Sequence, residues 1–125
     1  FEAERLTGVR IDGERSVAEA IERMQEYGCV NPLIKLGAVD GESVHLLGLH
    51  NEVARISAPH MEQSNTHGAG CTLAAAITAK FAMEENSDIE EVIQFGIVRT
   101  LEAIQCNSRL GHGIHPIEVR AMTKG

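Results

Sequence analysis

The 125-residue sequence is short of aromatic side chains and of positive charge. Aromatic residues make up 3% of it and tryptophan is absent, so a hydrophobic core must be built from aliphatic side chains. The formal net charge of −7 argues against nucleic acid or an anionic membrane as the partner, because both attract clusters of lysine and arginine. It does not exclude a nucleotide, which can be held by local backbone amides and one or two cations.

The cysteines are too few and too far apart for a disulfide framework. There are three, Cys29, Cys71 and Cys106, and no two of them form a Cys-x-x-Cys pair. This usage is typical of reduced thiols in a cytoplasmic protein. No apolar run reaches the length that spans a membrane, and no signal peptide is visible. Because the sequence begins at Phe1 rather than at methionine, we expect further chain upstream.

The remaining composition is that of a globular protein, with 43% hydrophobic and 23% charged residues. Hydrophobic periodicity, capping boxes and turn signals predict a succession of helices and strands. The predicted elements are helices over 1–8 and 16–27, strands over 32–37, 43–49 and 52–57, and helices over 71–82 and 87–104. This order predicts one flank of an α/β layered fold.

Three local signals in this reading are specific enough to be tested. The boxes Ser16-Val17-Ala18-Glu19 and Ser87-Asp88-Ile89-Glu90 predict two helix starts. The nearly continuous apolar strand at 32–37 is typical of a buried parallel sheet. The dipeptide Asp40-Gly41 predicts a tight turn after that strand.

The most informative stretch is Gly68-Ala69-Gly70-Cys71, here named the glycine corner, which lies between a polar loop and a helix. Glycines allow the backbone to turn tightly and to approach a ligand closely. The first amides of a helix have no intrahelical partner and lie at the positive end of its dipole, so this corner suits phosphate or another anion. Spacing alone leaves an alternative, in which the corner is a tight loop and Cys71 a small core residue.

The helix that follows the glycine corner is apolar nearly all round, from Leu73 through Ala82. Such a helix is predicted to be buried on several sides. The predicted strands are few and short, and can hardly supply that cover. We therefore expect the chain to be the C-terminal part of a larger domain, or to pair with another chain. A compact domain that stands alone is the alternative.

Residues 65–77, Asn-Thr-His-Gly-Ala-Gly-Cys-Thr-Leu-Ala-Ala-Ala-Ile, resemble the signature of the ribokinase-like superfamily. They are most similar to the branch of hydroxymethylpyrimidine and phosphomethylpyrimidine kinases of thiamine synthesis. The resemblance implies a three-layer α/β/α fold, of which residues 1–125 would be the C-terminal part of a single kinase domain, with the N-terminal part absent.

The same resemblance implies roles for the glycine corner. Gly68, Ala69 and Gly70 would form an anion hole for the transferring phosphoryl group. Cys71 takes the place of the superfamily's usual aspartate, beside the hydroxyl group that attacks ATP. In this reading Cys71 accepts or orients the proton of a substrate hydroxymethyl group.

Further matches imply a nucleotide site. The segment Lys35-Leu36-Gly37-Ala38-Val39-Asp40-Gly41 resembles a Lys-x-Gly-x-x-Gly strand end that approaches the nucleotide, although Lys35 could equally be a solvated charge. Gly111 lies in a stretch that resembles the family's Gly-rich segment near its C-terminus. Thr66 and Thr72 could donate hydrogen bonds to phosphate oxygens, or could cap the loop and the helix.

The resemblance also implies ATP and Mg²⁺ as cofactors, with Glu2 as the acidic residue that helps manage magnesium. The expected partners are a small-molecule substrate and ATP, without nucleic acid or membrane. The chain is expected to form a homo-oligomer or to pair with the missing N-terminal half.

Two alternatives remain open. Pyrimidine kinases usually have Lys-Gly-Gly-His where this chain has Lys35-Leu36-Gly37-Ala38, which is closer to the sugar and nucleoside kinases of the same superfamily. The other alternative is a catalytically inactive fragment that binds a nucleotide.

Overall fold

The structure is a computed structural model that describes residues 2–60 and 68–105 of the chain. The chain divides into two compact units, Phe1–His60 and Met61–Gly125, here called the first and the second unit. The first unit contains α1 (Glu2–Thr7), α2 (Glu14–Glu26), β1 (Leu33–Val39), β2 (Glu42–Gly48) and β3 (Val53–Pro59). The second unit contains α3 (Ala69–Met83) and α4 (Ile89–Gln105).

Among the described residues, the sheet of the first unit has three strands in the order β1-β2-β3, and both pairings are antiparallel. The prediction of a parallel sheet for the first strand is therefore wrong for every pairing among the described residues. The predicted turn explains the difference. Asp40 and Gly41 have φ values of 50° and 81°, which is the backbone of a tight hairpin turn, and such a turn reverses the chain.

One face of this sheet carries the core of the first unit. Alternate residues of β2, Val44 and Leu46, pack with Ile34 of β1 against α2. The α2 side of the core is the face that periodicity predicts; its buried members are Val17, Ala20 and Ile21. Residues on one strand alternate between the two faces, so His45 lies on the sheet face opposite α2.

The serine of the first capping box does not cap its helix. The helix begins at Glu14, with Gly13 as its N-cap, so Ser16 is its third residue. The Ser16 hydroxyl accepts hydrogen bonds from the amides of Asp12 and Gly13, at 2.9 and 3.1 Å. The motif thus locates the helix start within two residues but assigns the wrong residue as cap.

The second capping box is also displaced, but in the opposite direction, because the cap follows the predicted serine by one residue. The Asp88 carboxylate accepts a hydrogen bond from the Glu90 amide at 2.8 Å, and the Asp88 carbonyl accepts one from the Val92 amide at 3.0 Å. Asp88 is therefore the N-cap of α4. The Ser87 hydroxyl instead donates to the Glu84 carbonyl at 2.9 Å.

In the second unit α3 and α4 pack on each other, and α4 buries one regular face. The buried residues of α4 are Val92, Ile93, Gly96, Ile97, Thr100, Ala103 and Ile104. Its neighbour α3 buries only Ala69 and Ala76, while Phe81 is 42% and Met83 79% exposed. The described elements of this chain therefore do not supply the cover on several sides that the sequence of α3 requires, as expected from the sequence. Among the described elements of the second unit, α4 is the one that covers it.

Neither long helix resembles a membrane span. No described helix combines the length and the apolar character needed to cross a bilayer.

Candidate active site

The glycine corner forms the start of α3. Gly68 has φ 89° and ψ 2°, a left-handed backbone that glycine adopts without the strain of a side chain, and it is the N-cap of α3. The Thr72 amide donates to the Gly68 carbonyl at 2.9 Å, which closes the first helical turn. The amides of Ala69, Gly70 and Cys71 come before that bond, so they have no acceptor within the helix. Because glycine has no side-chain oxygen to cap them, these amides are suited to an external anion.

The side chains at this corner are open to solvent. Cys71 is a free, exposed cysteine in the first turn of α3, and Gly70 is exposed beside it. Among the described residues Cys71 thus belongs to no core, and its chemical role stays a prediction. Thr72 is half-buried. An exposed thiol thus lies in the same helical turn as amides that have no acceptor within the helix.

The base of the corner is fixed to α4. Ala69 is 7% exposed and packs with Ala103 and Ile104, which are 0% and 8% exposed. One side of the first turn is thus held in a hydrophobic contact, while the opposite side, with Gly70 and Cys71, is accessible. This arrangement orders the amides without blocking them.

The structure brings Lys35 and Gly37 together at an irregularity in β1. Lys35 pairs with His45, and Gly37 pairs with Val44, so Leu36 is an extra residue that forms a β-bulge. Gly37 has φ 99°, and a side-chain Cβ built there would meet nothing within 4 Å. Lys35 is exposed. The predicted nucleotide-binding residues of the first unit therefore share a short, open segment of backbone that is bent by the bulge.

His45, which the sequence reading did not single out, is the cross-strand partner of Lys35 and lies on the same face of the sheet. Its side chain is buried at 4% exposure, and its Nδ1 atom has no hydrogen-bond partner in the described structure. Burial, and then the charge of Lys35, lower the pKa of His45 below its ordinary value, against a smaller opposing effect of a backbone hydrogen bond to Ile56. His45 is therefore neutral at pH 7. A histidine inside the apolar run Val44–Leu47 is the signal that could have drawn attention to it.

The described residues contain no group of three or more histidine, cysteine, aspartate and glutamate side chains that could hold a metal ion. Glu2 is the first residue of α1 and is exposed. Mg²⁺ in phosphoryl-transfer sites commonly takes only one or two protein carboxylates and completes its shell with phosphate oxygens and water. A single carboxylate such as Glu2 is compatible with that mode of Mg²⁺ coordination. Thr66 and Gly111 lie outside the described residues.

Residues 1–118 match the family model described as phosphomethylpyrimidine kinase. The chain belongs to this family. It is 37% identical over 117 residues to the thiamine biosynthesis bifunctional protein ThiED of Geobacter sulfurreducens. It is 32% identical over 117 residues to the hydroxymethylpyrimidine/phosphomethylpyrimidine kinase of Streptomyces coelicolor. These alignments cover 93% and 94% of this chain but only 24% and 43% of the two relatives.

Solved kinase structures share the fold of this member of the phosphomethylpyrimidine kinase family. The pyridoxal kinase of Staphylococcus aureus in complex with AMP-PCP matches with a TM-score of 0.89 and 26% identity, over 99% of this chain and 46% of that chain. The ADP complex of Bacillus subtilis pyridoxal kinase matches with a TM-score of 0.87 and 24% identity. The α/β, ribokinase-like fold is confirmed, and this chain spans less than half the length of the kinases it matches.

Proposed function

We propose that this chain is the C-terminal part of a single kinase domain that transfers phosphate from ATP to the hydroxymethyl group of hydroxymethylpyrimidine, or to the phosphate group of its phosphate ester, in thiamine biosynthesis. Membership of the phosphomethylpyrimidine kinase family carries the proposal. The names of the relatives from Geobacter and Streptomyces support the pathway.

The geometry of the glycine corner fits the chemistry. Phosphoryl transfer requires the reactants to be positioned and requires donors aimed at the charge on the transferring group. The amides of Ala69, Gly70 and Cys71, at the positive end of α3, are such donors. The exposed thiol of Cys71 would accept or orient the proton of the hydroxymethyl group. Because the transition state is loose, the group that handles this proton needs little base strength, so a cysteine can take the place of an aspartate.

The nucleotide is assigned to ATP because the S. aureus kinase was crystallised with AMP-PCP. The ammonium of Lys35 would contact a phosphate as a point charge, and the open backbone at Gly37 would let the nucleotide approach. Thr72, with Thr66 and Gly111, would complete the phosphate contacts. Glu2 would help to bind Mg²⁺, and the bound ion would neutralise part of the phosphate charge.

The exposed surface of α3 supports the assignment to one part of a larger domain. Lys80 is the sole charged residue of this helix, and Phe81 and Met83 stay exposed in this chain. An uncharged helix surface of this kind is suited to burial. The rest of the kinase domain is the cover we propose, and pairing with a second copy is the alternative.

A second acceptor, pyridoxal, is favoured by one observation. The structural matches given above are pyridoxal kinases, with a TM-score of up to 0.89. The family match and the sequence relatives favour the pyrimidine, and we rank it first.

Acceptor specificity tests the proposal. A complete kinase can be made by joining this chain to the part of the S. coelicolor kinase that it does not match. ADP formation is then measured with hydroxymethylpyrimidine, its phosphate, pyridoxal and ribose as acceptors. We expect turnover with the two pyrimidines. Turnover with pyridoxal or ribose alone would reassign the substrate, and ATP binding without transfer to any acceptor would favour an inactive nucleotide-binding role.

A further inference from the structure

The contact between α3 and α4 contains one position that has no room for a side chain. Gly96 is buried in the middle of the inner face of α4. A Cβ atom built there would lie 2.8 Å from Cγ1 of Ile77 and 3.2 Å from Cδ1 of Leu73. It would also lie 3.5 Å from the Leu73 carbonyl oxygen, so the backbone of α3 itself passes close to Gly96. The absence of a side chain at Gly96 therefore sets how near the two helices approach.

A second contact lies nearer the glycine corner. Ala69 packs on Ala103 and Ile104, whereas Ile77 and Leu73 lie at Gly96, so the two helices run antiparallel. The Thr100 hydroxyl donates to the Gly96 carbonyl at 2.8 Å, which satisfies the one polar side chain buried on this face of α4. The first two turns of α3 thus rest on α4 at two places.

We propose that Gly96 is a positioning residue for the glycine corner. By admitting Leu73 and Ile77, it fixes the depth at which α3 lies on α4, and hence the direction of the amides of Ala69, Gly70 and Cys71. The catalytic consequence rests on the proposed function, in which these amides hold a phosphoryl group. The structural consequence, displacement of the corner, does not depend on it.

An alanine at Gly96 could not be absorbed by side-chain rotation alone. Ile77 is β-branched and in a helix is confined to essentially one χ1 rotamer, so its Cγ1 atom cannot swing away. The two helices must then separate at Gly96, and we expect the start of α3 to move with them. Because misplacement of reacting groups by about 1 Å can cost on the order of 100-fold in rate, a shift of a few tenths of an ångström is expected to matter.

The test uses the amide NMR signals of the complete kinase, made by joining this chain to the part of the S. coelicolor kinase that it does not match. In Gly96→Ala we expect the signals of Ala69, Gly70 and Cys71 to move, in addition to those that adjoin the substitution. Ile77→Ala removes the obstructing Cγ1 atom, so the double variant Gly96→Ala/Ile77→Ala should return the corner signals toward their original positions. The matched control is Gly13→Ala, because a Cβ at Gly13 meets nothing within 4 Å.

A second variant covers the case in which Gly96→Ala fails to fold. Ala103→Gly removes the methyl group beneath Ala69, and we expect it too to move the corner signals while the chain stays folded. Corner signals that stay in place in every folded variant would overturn the proposal. So would movement in Gly96→Ala that the Ile77→Ala partner does not reverse.

Titration with inorganic phosphate separates this proposal from the proposed function. We expect phosphate affinity to fall several-fold in Gly96→Ala and to recover in the double variant. If the corner signals move and return but phosphate never perturbs them, the positioning role stands and the anion-binding role of the corner fails.

Discussion

Helix α2 of the first unit and helix α3 of the second differ in how far each buries its apolar residues. In the first unit, the apolar face of α2 packs on the sheet, and Val17, Ala20 and Ile21 are at most 1% exposed. In the second unit, α3 has an almost uncharged sequence but buries only Ala69 and Ala76. The core beneath α2 is therefore closed, whereas α3 presents apolar surface that the described elements of its own unit leave open.

This difference bears on the site. The glycine corner and Cys71 belong to the unit whose apolar surface is incomplete, and Lys35 and Gly37 belong to the unit whose core is closed. If the rest of a kinase domain covers α3, the same step also encloses the face on which Cys71 lies. Exclusion of water around a transferring phosphoryl group strengthens each electrostatic contact made there.

The largest effect on stability should come from the core of the first unit. Ile21 is 1% exposed and its Cγ2 atom lies against the backbone of Gly48, so Ile21→Ala should destabilise this unit by about 2–5 kcal/mol. Urea unfolding can be monitored by tyrosine fluorescence. The signal reports on this unit, because Tyr27 is the sole tyrosine and tryptophan is absent.

The control for that substitution lies in the second unit. Phe81→Ala removes a larger side chain that is 42% exposed, and it should leave the Tyr27 transition unchanged. Equal losses from Ile21→Ala and Phe81→Ala would contradict the contrast between a closed and an open core.

The next prediction concerns the chemistry of the exposed thiols. In the complete kinase, Cys71→Ala should lower turnover by about 10²–10⁴-fold if Cys71 handles the proton, while ATP affinity changes little. The matched control is Cys29→Ala, because Cys29 is also a free, exposed cysteine but lies in the first unit. Steady-state kinetics give turnover, and isothermal calorimetry gives the ATP affinity. Unchanged turnover in Cys71→Ala would remove this residue from the mechanism.

Much of the fold could be predicted from the sequence, because its signals are local. The order of elements, the Asp40-Gly41 turn and the inner face of α2 each follow from spacing within a few residues. The direction of strand pairing could not be predicted from composition, since a run such as Leu33–Leu36 is apolar in parallel and antiparallel sheets alike. A capping-box motif likewise cannot distinguish a serine that caps a helix from one at the third helical position, as at Ser16.

The candidate site was predictable in part for the same reason. The glycine corner combines turn residues and a helix start in one short segment, so its backbone could be inferred. The exposure of α3 could not, because it depends on atoms that this chain does not contribute. The close contact at Gly96 could not be predicted either. The need for a glycine within a helix is evident only from the side chains that lie against it, here those of Leu73 and Ile77.

Acid should destabilise the first unit through His45. Burial lowers the pKa of the folded-state imidazole below 6.5, so the unfolded chain takes up a proton first as the pH falls. At pH values well above 6.5 both states are neutral and no stability is lost. Below it, the free energy of unfolding should decrease by up to about 1.4 kcal/mol per pH unit until the folded state also binds a proton.

His45→Leu should remove this component of the slope, and His50→Gln should not, because His50 is exposed. The slope is obtained from the Tyr27 transition in urea between pH 7 and 5. A slope that is unchanged in His45→Leu would show that carboxylates alone cause the acid sensitivity.

The smallest effect on stability is expected from the ion pairs that link elements of the first unit. The Arg55 side chain of β3 donates to the carboxylate of Glu14 in α2 at 2.9 Å, and it lies 3.5 Å from the carboxylate of Glu42 in β2. One guanidinium group therefore links α2, β2 and β3. The hydrogen bond to Glu14 is the main cause that raises the pKa of Arg55, which stays charged at any working pH. All three side chains are at least 39% exposed, so solvent screens the attraction.

Arg55→Gln should therefore shift the urea midpoint far less than Ile21→Ala does. The shift should vanish in about 1 M salt, where the Debye length of about 3 Å is no longer than the ion pairs themselves. A shift that rivals that of Ile21→Ala, or that persists in salt, would mean that charge rather than packing closes the first unit.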